Sequence, residues 1–93
     1  MRGRKTLKMR LYVVGGAPNS MRAIANLTAI CKRHLKSGFK LEIVDVLHFP
    51  LRALAEGIQV TPHLAKLSPA PAAKILGNLS DRSSVLDALG IGK

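Results

Sequence analysis

Between Thr6 and Val14, "TLKMRLYVV", apolar Leu7, Met9 and Leu11 alternate with cationic Lys8 and Arg10 before the segment turns wholly apolar. Strict alternation is the signature of a strand with one buried face, and the apolar end marks its entry into a core. Gly15, Gly16 and Pro18 break it. A helix is predicted from Asn19 or Ser20, either of which can cap free amides. Ile24, Leu27, Cys31 and Leu35 then recur at helical spacing, which places the thiol inside. Arg22, Asn26, Arg33 and Lys36 fall on the opposite side, and Ser37–Gly38 closes the helix.

The next segment, Phe39 to Leu47, is apolar at both parities and predicts a central strand parallel to the first, completing a βαβ unit. Pro50 suits the first turn of a second helix, "PLRALAEG", ending at Gly57. "IQVTPHLAKL" reads as a strand entered through Thr61–Pro62, "SPAPAA" as a stiff turn containing Pro69 and Pro71, and "AKILGN" as a last strand. "SDRSSVLDALG" carries the punctuation of a short helix: Ser80 as N-cap, Asp81 favouring the N-terminal dipole, Gly90 as the left-handed stop. The order βαβαββα is that of an α/β, thioredoxin-like single domain over residues 1–93.

Composition narrows the function classes. The chain has 93 residues, about the size of one small domain, and no apolar run approaches the ~20 residues of a membrane span. A single cysteine excludes an internal disulfide and fits a reducing cytoplasm. Fifteen Lys and Arg against five Asp and Glu give a net charge of +10, which predicts attraction to anionic partners. Five cations fall in the first ten residues, with residues 1–5 expected to form a basic, flexible arm.

Candidate chemistry is sparse. The Gly15–Gly16 turn lacks the Gly-Lys-Ser/Thr of a Walker loop and the third glycine of a dinucleotide fingerprint. Its "GAPNS" stretch holds no thiol where a thioredoxin-like active site has one, and Ser20 more simply caps the helix. His34, His48 and His63 show no ligand spacing, so no metal or cofactor is expected. Asp45, inside an apolar strand, is read as a hydrogen-bonded strand-end carboxylate or a partner for a nearby cation. No catalytic constellation emerges. A basic nucleic-acid-binding protein is the alternative, weakened by the lack of an aromatic stacking platform; a divergent redox protein is a second.

The motifs "LYVVGGAPNS" followed by Arg22–Ala23, "IVDVL", "TPHLAK", "SPAP" and "ILGNLSDR" together resemble the KaiB family of circadian-clock proteins, from about Lys5 to Leu89. The resemblance implies a non-enzymatic adaptor that docks on a KaiC-type hexameric ATPase and recruits or displaces KaiA-like or SasA-like proteins. It also implies a metamorphic chain: a thioredoxin-like monomer in one form, and in the other a ground-state fold, often tetrameric, whose C-terminal half is rebuilt with strand after Ser80. Family members commonly carry glycine and aspartate at the positions of Ala88 and Gly90. Alanine in a helix is favoured over glycine by about 0.8–1 kcal/mol and Gly90 supplies the stop, so the helical ending and the monomer are expected. The resemblance places partner contacts around Leu51, Arg52, Glu56, Gly57, Lys66, Lys74 and Arg82, with Arg22 on a surface for a third partner. It makes Thr61, Pro62, Pro69, Pro71, Ser80, Ala88 and Gly90 the determinants of the fold state. His63 stands where the family usually has threonine, and Asn78 where it usually has aspartate.

Overall fold

The computed structural model describes residues 6–35 and 38–91. The arm cations Arg2, Arg4 and Lys5, together with Lys36 and the Ser37 part of the first helix's closure, lie outside the described residues. The elements are β1 (Leu7–Val13), α1 (Pro18–Ile30) with a π-helical continuation Cys31–Leu35, β2 (Phe39–Asp45), α2 (Pro50–Ala55), β3 (His63–Ser68), β4 (Ala73–Leu76) and α3 (Arg82–Leu89). The predicted order βαβαββα stands.

One sheet, β2-β1-β3-β4, organises the molecule, with β2 parallel to β1 and the other pairs antiparallel. The odd-numbered residues of β1 (Leu7, Met9, Leu11 and Val13) are buried against Ala23, Leu27 and Ile30 of α1 and Val85 and Leu89 of α3. Cys31 is buried in this cluster, as its spacing predicts, and burial pushes its thiol pKa up, so it is held protonated and inert. The even-numbered residues point to the opposite face, where α2 is the only helix among the described residues.

Four local expectations are corrected. β2 is parallel to β1 but forms an edge rather than the centre, and its Lys40, Glu42 and Ile43 are exposed. Apolar content at both parities misleads here, because one parity packs on the core layer while Val44 alone is sealed on the other. The helix α1 begins at Pro18 with Ala17 in the capping position and no side-chain cap. Ser20 is instead 2% exposed and its Oγ accepts the Val14 amide at 3.0 Å, tying the turn to the strand it leaves. The strand β3 starts at His63, not at Ile58, because Pro62 has no N–H to give a ladder. Finally, Asp81 rather than Ser80 caps α3. Its Oδ1 accepts the Ser84 amide and its Oδ2 the Ser84 hydroxyl, while the Ser80 amide donates to Asn78 Oδ1.

Other punctuation behaves as read. Gly90 ends α3 at φ 72°, and Gly57 follows α2 at φ 71°. The Thr61–Pro62, Ser68–Pro69 and Ala70–Pro71 bonds are cis.

Candidate functional site

The thioredoxin-type corner between β1 and α1 is occupied by structural interactions rather than reactive groups. A Cβ on Gly15 would meet the Asp45 carboxylate, which would have to shift to admit it. Asp45 accepts the Leu47 amide at 2.9 Å, meets His48 Nδ1 at 3.3 Å and lies close against Gly15. These bonds, the Leu47 amide foremost, hold its carboxyl below the usual range. The expected strand-end carboxylate is therefore a brace that joins β2 to the turn after β1. Among the described residues no group of three His, Cys, Asp or Glu could hold a metal, and no helix is long and apolar enough to cross a membrane.

The distinctive surface lies around α2. Leu51 and Leu54 are 77% and 76% exposed, and Leu47 and Phe49 on the approach to the helix are more than half exposed. A six-residue helix buries one narrow stripe, here Ala53, and leaves these side chains to solvent. Contiguous exposed apolar residues of this kind mark interaction sites. Arg52 anchors the helix: its guanidinium donates two bonds to Glu42 at 2.8 and 3.0 Å, and Arg10 Nε donates a third at 2.8 Å. Held first by Arg52 and then by Arg10, the Glu42 carboxyl is lowered to about 2. Arg10 also reaches the Tyr12 hydroxyl, and the Tyr12 ring meets His63 edge-on at 5.9 Å. Burial first, and Lys74 second, lower the His63 pKa, so its imidazole is kept neutral.

The structure brings some of the predicted contact residues together. Glu56, Gly57 and Lys74 line one depression of about 410 Å³ beside α2, adjoining Leu51 and Arg52 in sequence. Arg22 and Arg82 are exposed on the layer of α1 and α3, and Arg22 Nη1 donates to Asn19 Oδ1 at 3.3 Å. Lys66 stands apart. It is 6% exposed on the core-facing side of β3, with Nζ 3.5 Å from where a Gly90 Cβ would lie, a favourable place for a cation beside the C-terminus of α3. Sequence reasoning missed Glu42 and the exposed Leu47, Phe49 and Leu54. The signal was present, since four large apolar residues within "LHFPLRAL" exceed what one short helix covers.

Comparisons with known proteins agree with this architecture. The family model "KaiB domain" matches residues 10–91. The chain is 44% identical over 91 residues to the circadian clock oscillator protein KaiB of Prochlorococcus marinus strain MIT 9312, covering 98% of this chain and 87% of that protein. It is 43% identical over 88 residues to the Gloeothece citriformis protein of the same name, covering 95% and 83%. Among solved structures, the N-terminal domain of Synechococcus elongatus SasA superposes with a TM-score of 0.76 at 20% identity over 97% of this chain and 89% of that one. Chloroplastic thioredoxin z gives 0.79 at 17% identity over 94% and 78%. These two establish the thioredoxin-like fold, and the matches in sequence establish the lineage: the chain belongs to the KaiB family of circadian clock proteins.

Proposed function

We propose that this chain is a non-enzymatic, cytoplasmic adaptor that docks on a KaiC-type hexameric ATPase through the α2 surface, in a clock or clock-derived signalling system. The observation that carries the reading is the exposed apolar set Leu47, Phe49, Leu51 and Leu54, held in place by the Arg52–Glu42 bonds, in a chain of the KaiB family. Glu56, Gly57 and Lys74 extend that surface, Arg82 and α3 form a separate contact on the other layer, and Arg22 serves a third partner of the KaiA or SasA kind. Lys66 borders the same depression and also braces α3. The thiol-free turn and the buried Cys31 fit a binding role and argue against redox catalysis.

The thioredoxin-like monomer is the binding form. Ala88 within α3 and Gly90 at its stop favour the helical ending, with Asp81 as the cap, and Thr61, Pro62, Pro69, Pro71 and Ser80 set the connections of the switching half. A charge of +10 opposes assembly into a tetramer.

Co-elution with a hexameric KaiC-type ATPase, in ATP and in ADP and at two salt concentrations, tests the reading. A stoichiometric complex that forms without an hours-long lag, and is lost on Leu51→Glu or Leu54→Glu while the variants stay folded, supports it. No complex at either salt concentration overturns the assignment of partner. Strand-type chemical shifts over 82–89 overturn the assignment of the binding form.

A further inference from the structure

The face of the sheet that α1 and α3 leave uncovered carries an unresolved electrostatic conflict. Lys8 of β1 and Lys40 of β2 are register partners and both are exposed. Adjacent strands lie about 4.7–4.9 Å apart, so two ammonium groups are rooted side by side on one face. Like charges so placed repel. The next pair along, Arg10 with Glu42, is opposite in sign, but that carboxylate is already engaged by Arg10 and Arg52. Among the described residues neither Lys8, Lys40 nor Lys74 takes part in an ion pair.

These cations border two depressions that share Leu67. A depression of about 240 Å³ lies among Lys8, Lys40, Arg10, Leu67 and Glu42, whose carboxylate is held by Arg10 and Arg52. On the other side of Leu67 it meets the depression of about 410 Å³ that reaches Lys74. Leu67 is 43% exposed, an apolar side chain on the floor between cationic ends. The only aromatic residue of the strands on this face, Tyr12, is 1% exposed and offers no ring for a nucleobase to stack on.

We propose that this open face, which meets the α2 surface at Lys74 and extends from there to Lys8 and Lys40, takes an acidic amphipathic segment of a partner protein. One carboxylate bridges Lys8 and Lys40, an apolar side chain covers Leu67, and a second carboxylate meets Lys74. Binding relieves the lysine–lysine repulsion, so the same pair that is unfavourable in the free chain steers and holds the partner.

Amide NMR titration of the full chain tests this, using a synthetic peptide of alternating glutamate and leucine, its glutamine–leucine counterpart and an oligothymidylate. The expected result is saturable shifts at Lys8, Lys40, Leu67 and Lys74 with the glutamate peptide only. Lys8→Glu weakens binding about tenfold or more, while Leu54→Glu leaves it unchanged. Lys8→Glu also puts opposite charges across the strands, so its thermal stability holds or rises, separating lost binding from lost folding; Lys40→Gln is the second variant. The proposal is overturned if shifts do not saturate, if the glutamine peptide binds equally, if the oligonucleotide binds the same amides more tightly, or if both lysine variants bind as the parent does.

Discussion

The two faces of the sheet are made from the same strands and do opposite work. On one, Leu7, Met9, Leu11 and Val13 are sealed under α1 and α3. On the other, Lys8, Arg10, Lys40, Glu42 and Lys74 stand around Leu67, with only the short α2 for cover. A period of two lets one strand serve both ends without compromise, because a change at an even position of β1 leaves the odd face intact. Stability is concentrated on the first face, and the surfaces proposed for recognition lie on the second and on the helix above it.

The largest expected effect comes from opening the sealed face. Leu27 is fully buried, and Leu27→Ala is expected to cost about 2–5 kcal/mol, lowering the thermal midpoint by roughly 4–8 °C per kcal/mol in a domain of this size. Leu67→Ala, on the open face, is expected to change stability by no more than about 0.5 kcal/mol. Equal losses in urea denaturation would erase the distinction between the faces. A smaller effect tests the lid rather than the floor. Gly90 sits at φ 72° with room for a Cβ, so Gly90→Ala costs roughly 1–2 kcal/mol from backbone strain alone. Calorimetry together with helical shifts over 82–89 would read it; no loss would mean that the stop of α3 does not need glycine.

The smallest effect belongs to the open face and depends on pH. The folded Glu42 pKa, about 2, lies below the ordinary carboxylate value, so the folded state binds this proton more weakly than the unfolded chain does. Its contribution is complete above about pH 4.3 and is lost as pH falls towards 2. Glu42→Gln should therefore remove a small part of the parent's acid sensitivity. Because the carboxylate is exposed, the difference should also shrink in high salt. Parallel curves for parent and variant through that window would show that the Arg10–Glu42–Arg52 bonds do not act in solution.

Much of this division was legible in the sequence. The alternation of β1, the spacing of Leu27 and Cys31, and the stops at Gly57 and Gly90 report local preference and one buried face, and local rules suffice for them. Lys66 and Leu67 show where such rules fail. Hydropathy alone would place the leucine inside and the lysine outside, but Lys66 shares the parity of the buried Leu64 and the structure has Lys66 buried and Leu67 half exposed. A register shift in the β1–β3 pairing between Lys8 and Met9 leaves Leu67 without a partner on β1, and the nearby end of α3 gives the lysine its place. Neither is visible from β3 by itself. The edge position of β2 and the burial of Ser20 likewise depend on distant neighbours. The exposure of Leu51 and Leu54 was within reach, because helix length and apolar count are both local quantities.

The placement of β1 at the centre also has a consequence for how the chain is built during synthesis. Its two edges are satisfied at different times. Its parallel partner, Phe39–Asp45, emerges soon after it and can close a βαβ unit early. Its antiparallel partner, His63–Ser68, follows only later, and α3, which seals the core layer, comes last. Until then the nascent domain presents an unpaired strand edge and part of an unsealed apolar layer. Translation speed across residues 46–68 therefore sets how long that edge is open to the wrong partner, a window that a slow codon tract there would widen.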